Sequence, residues 1–107
     1  MDAFSNLLKW NMTGKKNRLP SATTKIQITN ELGLHARAAA IIAKIAQTAI
    51  SNIWIVKESE MADASSIIDI LALECTKGSW ITLKSEDPAD HHLLLQIREY
   101  VESGFGE

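Results

Sequence analysis

The sequence predicts an α+β domain in which an antiparallel sheet carries its helices on one face. Three observations lead there. Period-2 alternation of apolar and polar residues recurs in short segments at 25–29, 52–57 and 79–85. Longer stretches of helical periodicity follow the first and last of these. The resulting order is strand, helix, strand, strand, helix, strand, helix, without an internal repeat, a pattern that favours segregated helices over a parallel sheet.

The bulk properties fit one such domain. At 107 residues, 46% apolar and 22% charged, the chain can bury a core and is not compositionally disordered. Its formal net charge of -2 leaves no footprint for nucleic acid. Basic charge gathers at the start, where Lys9, Lys15, Lys16 and Arg18 face only Asp2, so the remainder is acidic. The lone cysteine, Cys75, excludes an intrachain disulfide framework and fits a reducing compartment. With no apolar run near the roughly 18 residues of a membrane span, and no signal-peptide pattern at the start, the expected location is the cytoplasm.

Along the chain, residues 1–23 read as an N-terminal extension and linker, and the folded body as 24–107. The extension carries Phe4, Leu7, Leu8 and Trp10 at spacings that suit a short amphipathic helix or a disordered tail, and it is the only part with a route to membrane contact. KIQIT places Ile26 and Ile28 on one strand face, and Gly33 supplies a turn. Residues 35–50 read as a helix that buries Ala39, Ile42, Ala43, Ala46 and Ile50 and presents Arg37, Ala40, Lys44, Gln47 and Ser51. NIWIVK is the second strand and residues 61–63 a short third. Ser65 or Ser66 caps a brief helix carrying Ile67, Ile68 and Leu71. SWITLKS is the fourth strand, Pro88 opens the last helix, and Gly104 stops it. The inward set is Ile26, Ile28, Ile53, Ile55, Ile81 and Leu83, leaving Trp54 and Trp80 to pair on the open face.

LGLHARAAA carries the chemistry. The first amides of a helix lack partners and hold about half a positive charge, so an anion placed there is stabilised. His35 stands at that mouth, within reach of the amides of Ala36, Arg37 and Ala38, and Arg37 adds a cation able to pair with phosphate oxygens. Nearby positive charge disfavours imidazolium and keeps the ring nucleophilic. The arrangement suits a transient phosphohistidine; it suits a plain capping histidine as well. His91 and His92, with Asp87 and Asp90, suggest a metal site, but neighbouring helical positions diverge by about 100°, so no metal is expected.

GLHARAAA after a strand, ADASSI before an apolar helical turn, KGSWITL, and the final FGE resemble, in order and spacing, the histidine-containing phosphocarrier (HPr) family of the bacterial sugar phosphotransferase system. The resemblance covers about Thr24 to Glu107. It implies an open-faced β-sandwich with four antiparallel strands and three helices, needing no cofactor and turning over no small substrate of its own. By resemblance, His35 accepts a phosphoryl group on Nδ1 from Enzyme I and passes it to an enzyme IIA component, and Arg37 stabilises the phosphate. Ser66 matches the family's regulatory serine, the target of an HPr kinase/phosphorylase. Ile67, Ile68 and Leu71 match its apolar docking patch, with Ala40, Lys44 and Gln47 on the neighbouring helix stripe. One departure stands out: Ala38 replaces the usual proline, which restores an amide hydrogen. Within the same fold the sequence also admits a regulatory module, for example in a nitrogen-related branch.

Overall fold

The computed structural model describes residues 22–107. The expectations for the extension, including Phe4, Leu7, Leu8 and Trp10, lie outside the described residues. Strands β1 (Ala22–Gln27), β2 (Ile53–Lys57), β3 (Glu60–Asp63) and β4 (Trp80–Ser85) form one antiparallel sheet in the order β1-β4-β2-β3. Helices α1 (Ala36–Ala46), α2 (Ile67–Ala72) and α3 (His91–Glu102) cover one face of it. This is the antiparallel sheet with helices on one face that the element pattern called for, and the open-faced sandwich that the resemblance implied.

Register follows from which residues must avoid water. Ile26 stands opposite Ile81 and Ile55 opposite Leu83, and all six expected inward residues are no more than 2% exposed. Burying each such side chain contributes about 1.5–3 kcal/mol, and a one-residue slip would turn the whole set outward. Ala39, Ile42, Ala43 and Ala46 of α1 and Leu94, Ile97 and Val101 of α3 complete the core from the other side.

Several local expectations give way. The first strand begins at Ala22, paired with Ser85, two residues before Thr24. Helix α1 ends at Ala46 rather than Ile50, and Ile50 is 73% exposed. The reason is Asp90, whose carboxylate accepts the amides of Ile50 and Ser51 at 2.9 Å each and the Ser51 hydroxyl at 2.9 Å, drawing the chain out of helical geometry. Asp90 is accordingly 1% exposed and closes a 3-10 turn, Pro88–Asp90, ahead of His91 and His92.

The two tryptophans do not pair. Trp54 stands opposite Lys84 and Trp80 opposite Gln27, four residues apart along β4, or about 13 Å at strand rise. Trp54 donates its indole N–H to Glu86, while Trp80 lies under the Lys25 ammonium at 5.4 Å. Cys75 is buried, and burial pushes its thiol pKa up.

Candidate functional site at the start of α1

The turn before α1 is built to hold one conformation. Gly33 has φ +69°, and a Cβ there would lie 2.4 Å from the Cys75 carbonyl oxygen, so only glycine fits. That carbonyl accepts the Leu34 amide at 2.9 Å, tying the turn to the segment after α2. From the other side the Asn30 side-chain amide donates to the Gly33 carbonyl at 2.9 Å. The chain therefore delivers His35 to the helix start in extended geometry, φ -90° and ψ 177°, as its N-cap.

His35 is held at both ring nitrogens. The Ala38 amide donates to Nδ1 at 3.3 Å, and Nε2 lies 2.5 Å from Glu107 Oε2. An amide can only donate, so Nδ1 carries the lone pair and Nε2 the proton, which it donates to the carboxylate. Phe105 meets the imidazole edge-on with centroids 5.9 Å apart, and Tyr100 meets Phe105 at 5.3 Å. Ala36 and Arg37 leave their amides without another acceptor among the described residues, and the Arg37 side chain is exposed. The amide that proline would lack at position 38 is therefore in use, as a cap on the histidine itself.

Sequence reasoning missed four of these groups: Asn30, Tyr100, Phe105 and Glu107. The tail reaches the site through left-handed backbone at Gly104, Phe105 and Gly106, with Phe105 anchored in the core. The hydrogen bond from His35 and then that from Asn30, helped by the charge of Arg37, hold the Glu107 carboxyl below the ordinary carboxylate range against the opposing effect of desolvation. Burial pushes the Tyr100 phenol up, and its hydroxyl has no partner among the described residues. Only the terminal FGE offered a signal, because His35 and Glu107 are 72 positions apart.

Ser66 is the N-cap of α2 and accepts the Asp69 amide at 3.2 Å, while Ser65 turns back to Asp63. Ile67, Ile68 and Leu71 present 40%, 76% and 36% of their surface. Across from them Lys44 is exposed, Ala40 half-buried, and Gln47 donates its side-chain amide to the Ser65 carbonyl at 3.2 Å, joining the end of α1 to the approach to α2. Among the described residues no helix is long and apolar enough to cross a membrane, and no three His, Cys, Asp or Glu side chains gather as metal ligands.

An open sheet backed by three helices, with a capping histidine at the first helix, defines the class: a small open-faced α+β domain. The family described as the PTS HPr component phosphorylation site matches residues 22–103, and the chain belongs to the HPr family. It is 31% identical over 80 residues to the phosphocarrier protein HPr of Cupriavidus necator, covering 75% of this chain and 90% of that one. It is 36% identical over 83 residues to the phosphocarrier protein NPr of Shewanella violacea, covering 78% and 91%. Among solved structures it resembles an HPr from Thermoanaerobacter tengcongensis, with TM-score 0.72, 33% identity and coverage of 80% and 97%. A phosphocarrier HPr from Bacillus anthracis gives TM-score 0.71 at 29% identity, covering 78% and 99%. The chain is thus a phosphocarrier protein of the phosphotransferase system.

Proposed function

We propose that His35 is the phosphoryl acceptor, taking the group on Nδ1 from Enzyme I and passing it to an enzyme IIA component. The observation that carries this reading is the pair of contacts on the ring: the Ala38 amide donates to Nδ1 at a helix start, and Nε2 faces the Glu107 carboxylate, which together assign the lone pair to Nδ1. Once Nδ1 attacks phosphorus, the Ala38 amide loses its acceptor and is free to turn to a phosphate oxygen. It joins the amides of Ala36 and Arg37 in a cradle that the helix dipole favours. The exposed guanidinium of Arg37 supplies the cation for the remaining oxygens.

The docking surface is the apolar strip of Ile67, Ile68 and Leu71 with Ala40, Lys44 and Gln47 beside it, where Lys44 and Arg37 attract acidic partners. Ser66, at the edge of that strip, is the site for an HPr kinase/phosphorylase, and a phosphoserine there adds about -1.5 to -2 charges to an apolar interface. The protein works in the cytoplasm, where these partners meet it. Residues 1–23 supply an appended segment that runs into β1 at Ala22, and deleting residues 1–20 changes oligomeric mass only if that segment pairs two molecules.

A second reading has its own support, since relatives named NPr match about as much of this chain as those named HPr. In it the carrier serves a nitrogen-related branch and signals through its phosphorylation state. The deciding assay incubates the protein with Enzyme I and phosphoenolpyruvate and measures acid-labile phosphate, which must vanish in His35→Ala. Transfer rates to sugar-type and nitrogen-type enzyme IIA proteins then separate the two readings, and a wild-type protein that takes no phosphate would sink both.

A further inference from the structure

We infer that Glu107 is a positioning residue that keeps the His35 proton on Nε2 throughout phosphoryl transfer, with Asn30 holding the carboxylate in place. The inference rests on the phosphocarrier reading and concerns a residue that lies 72 positions from the histidine. Three observations converge on it. The Glu107 carboxylate is 2.5 Å from Nε2. Asn30, nine-tenths buried, aims its side-chain amide at both carboxylate oxygens, at 3.3 and 3.5 Å, while donating to the Gly33 carbonyl. Phe105 anchors the tail in the core and packs against the imidazole, so the carboxylate arrives on a fixed support.

The electron count gives the pair its role. The Nδ1 lone pair forms the bond to phosphorus, and the donor protein's leaving group departs with the electrons of the bond that breaks. No proton moves, so the ring becomes a phosphoimidazolium with one positive charge and its hydrogen still on Nε2. The Glu107 carboxylate stands against that charge as it develops. On donation the electrons return to Nδ1 and the ring is neutral again. A carboxylate that fixes one nitrogen's proton while the other reacts is a general device of histidine chemistry. Here it also decides which nitrogen is phosphorylated.

The test compares wild type, Glu107→Ala and Glu107→Gln by nitrogen NMR of the imidazole at about pH 8, above the ordinary imidazole range. Wild type should show a single tautomer with a slowly exchanging Nε2 proton. Glu107→Ala should show mixed tautomers and rapid exchange, with an unchanged core amide spectrum, and Glu107→Gln should restore the tautomer because its carbonyl still accepts the N–H. Phosphorylation by Enzyme I should slow about tenfold or more in Glu107→Ala, as expected for losing a hydrogen bond to a charged group. Part of its phosphate should then appear on Nε2. A Glu107→Ala protein with the wild-type tautomer, or with wild-type rate and Nδ1 phosphate alone, overturns the inference. Because the tautomer is read on unmodified protein, failure of wild type to accept phosphate would strike the carrier reading separately.

Discussion

Two helices of this protein begin alike and are held differently. His35 caps α1 by accepting the Ala38 amide, and Ser66 caps α2 by accepting the Asp69 amide, each three residues ahead. The far side of each is tied by a charged group from elsewhere in the chain. Asp90 takes the amides just beyond α1, while the Lys57 ammonium donates to the Leu73 and Glu74 carbonyls at the end of α2, at 3.0 and 3.1 Å. The difference lies in the first turn. Helix α1 has no acid there and carries Arg37, whereas α2 carries Asp69. Within the first turn itself, an added anion would meet the Arg37 cation at α1 and the Asp69 carboxylate at α2. One capping geometry thus stands in two different charge settings.

The firmest way to break the comparison is to remove the turn that presents His35. Gly33→Ala introduces both a strained φ and a collision with the Cys75 carbonyl, and should cost on the order of 3 kcal/mol. Denaturant unfolding checks it; a loss below about 1 kcal/mol would mean the turn is softer than its geometry.

Next comes the tie beyond α1. Burial alone would raise the Asp90 pKa, but hydrogen bonds from the Ile50 and Ser51 amides and the Ser51 hydroxyl bring it below the ordinary 3.8. A lowered folded-state pKa means that its contribution is present at neutral pH, above the unfolded value. It is lost as pH falls through the folded value. Asp90→Asn should cost about 2–3 kcal/mol near pH 7 and flatten the acid limb of the stability profile, and an acid limb identical to wild type would refute the assignment.

At the start of α2 two substitutions separate capping from charge. Ser66→Ala loses the cap and should cost about 1 kcal/mol with phosphoryl acceptance little changed. Ser66→Asp keeps a good cap and most of the stability, yet should slow acceptance from Enzyme I about tenfold, through the added charge beside Ile67, Ile68 and Leu71. Equal rates for Ser66→Asp and wild type would remove Ser66 from regulation. The smallest effect belongs to Tyr100→Phe. It deletes a buried hydroxyl that has no partner and keeps the ring against Phe105, so stability should stay within about 0.5 kcal/mol or rise. A loss above about 1 kcal/mol would reveal a partner for that hydroxyl.

The sheet was readable because its evidence is local. Alternation at Ile26 and Ile28, Ile53 and Ile55, and Ile81 and Leu83 states which face is dry, and the structure buries every one. The same was true of the histidine at the mouth of α1 and the serine at the mouth of α2. Ile50 misled because its spacing continues the α1 stripe, while the groups that end the helix sit on Asp90, about forty positions away. The tryptophan pair failed for a related reason. Both indoles were correctly placed on the outer face, but separation along β4 depends on register between strands, which alternation alone does not specify.

By itself the sequence determined the elements, the dry face of the sheet, the family resemblance and the histidine at the mouth of α1, because each is written in spacings of a few residues. Only the tertiary structure decided which ring nitrogen of His35 keeps its proton, and which residues hold it there. Glu107, Asn30 and Phe105 come together through a tail folded back over α1, and such a long-range closure leaves no periodic trace in the chain. Its physical cause is the burial of Phe105 and the mutual satisfaction of an imidazole, a carboxylate and an amide.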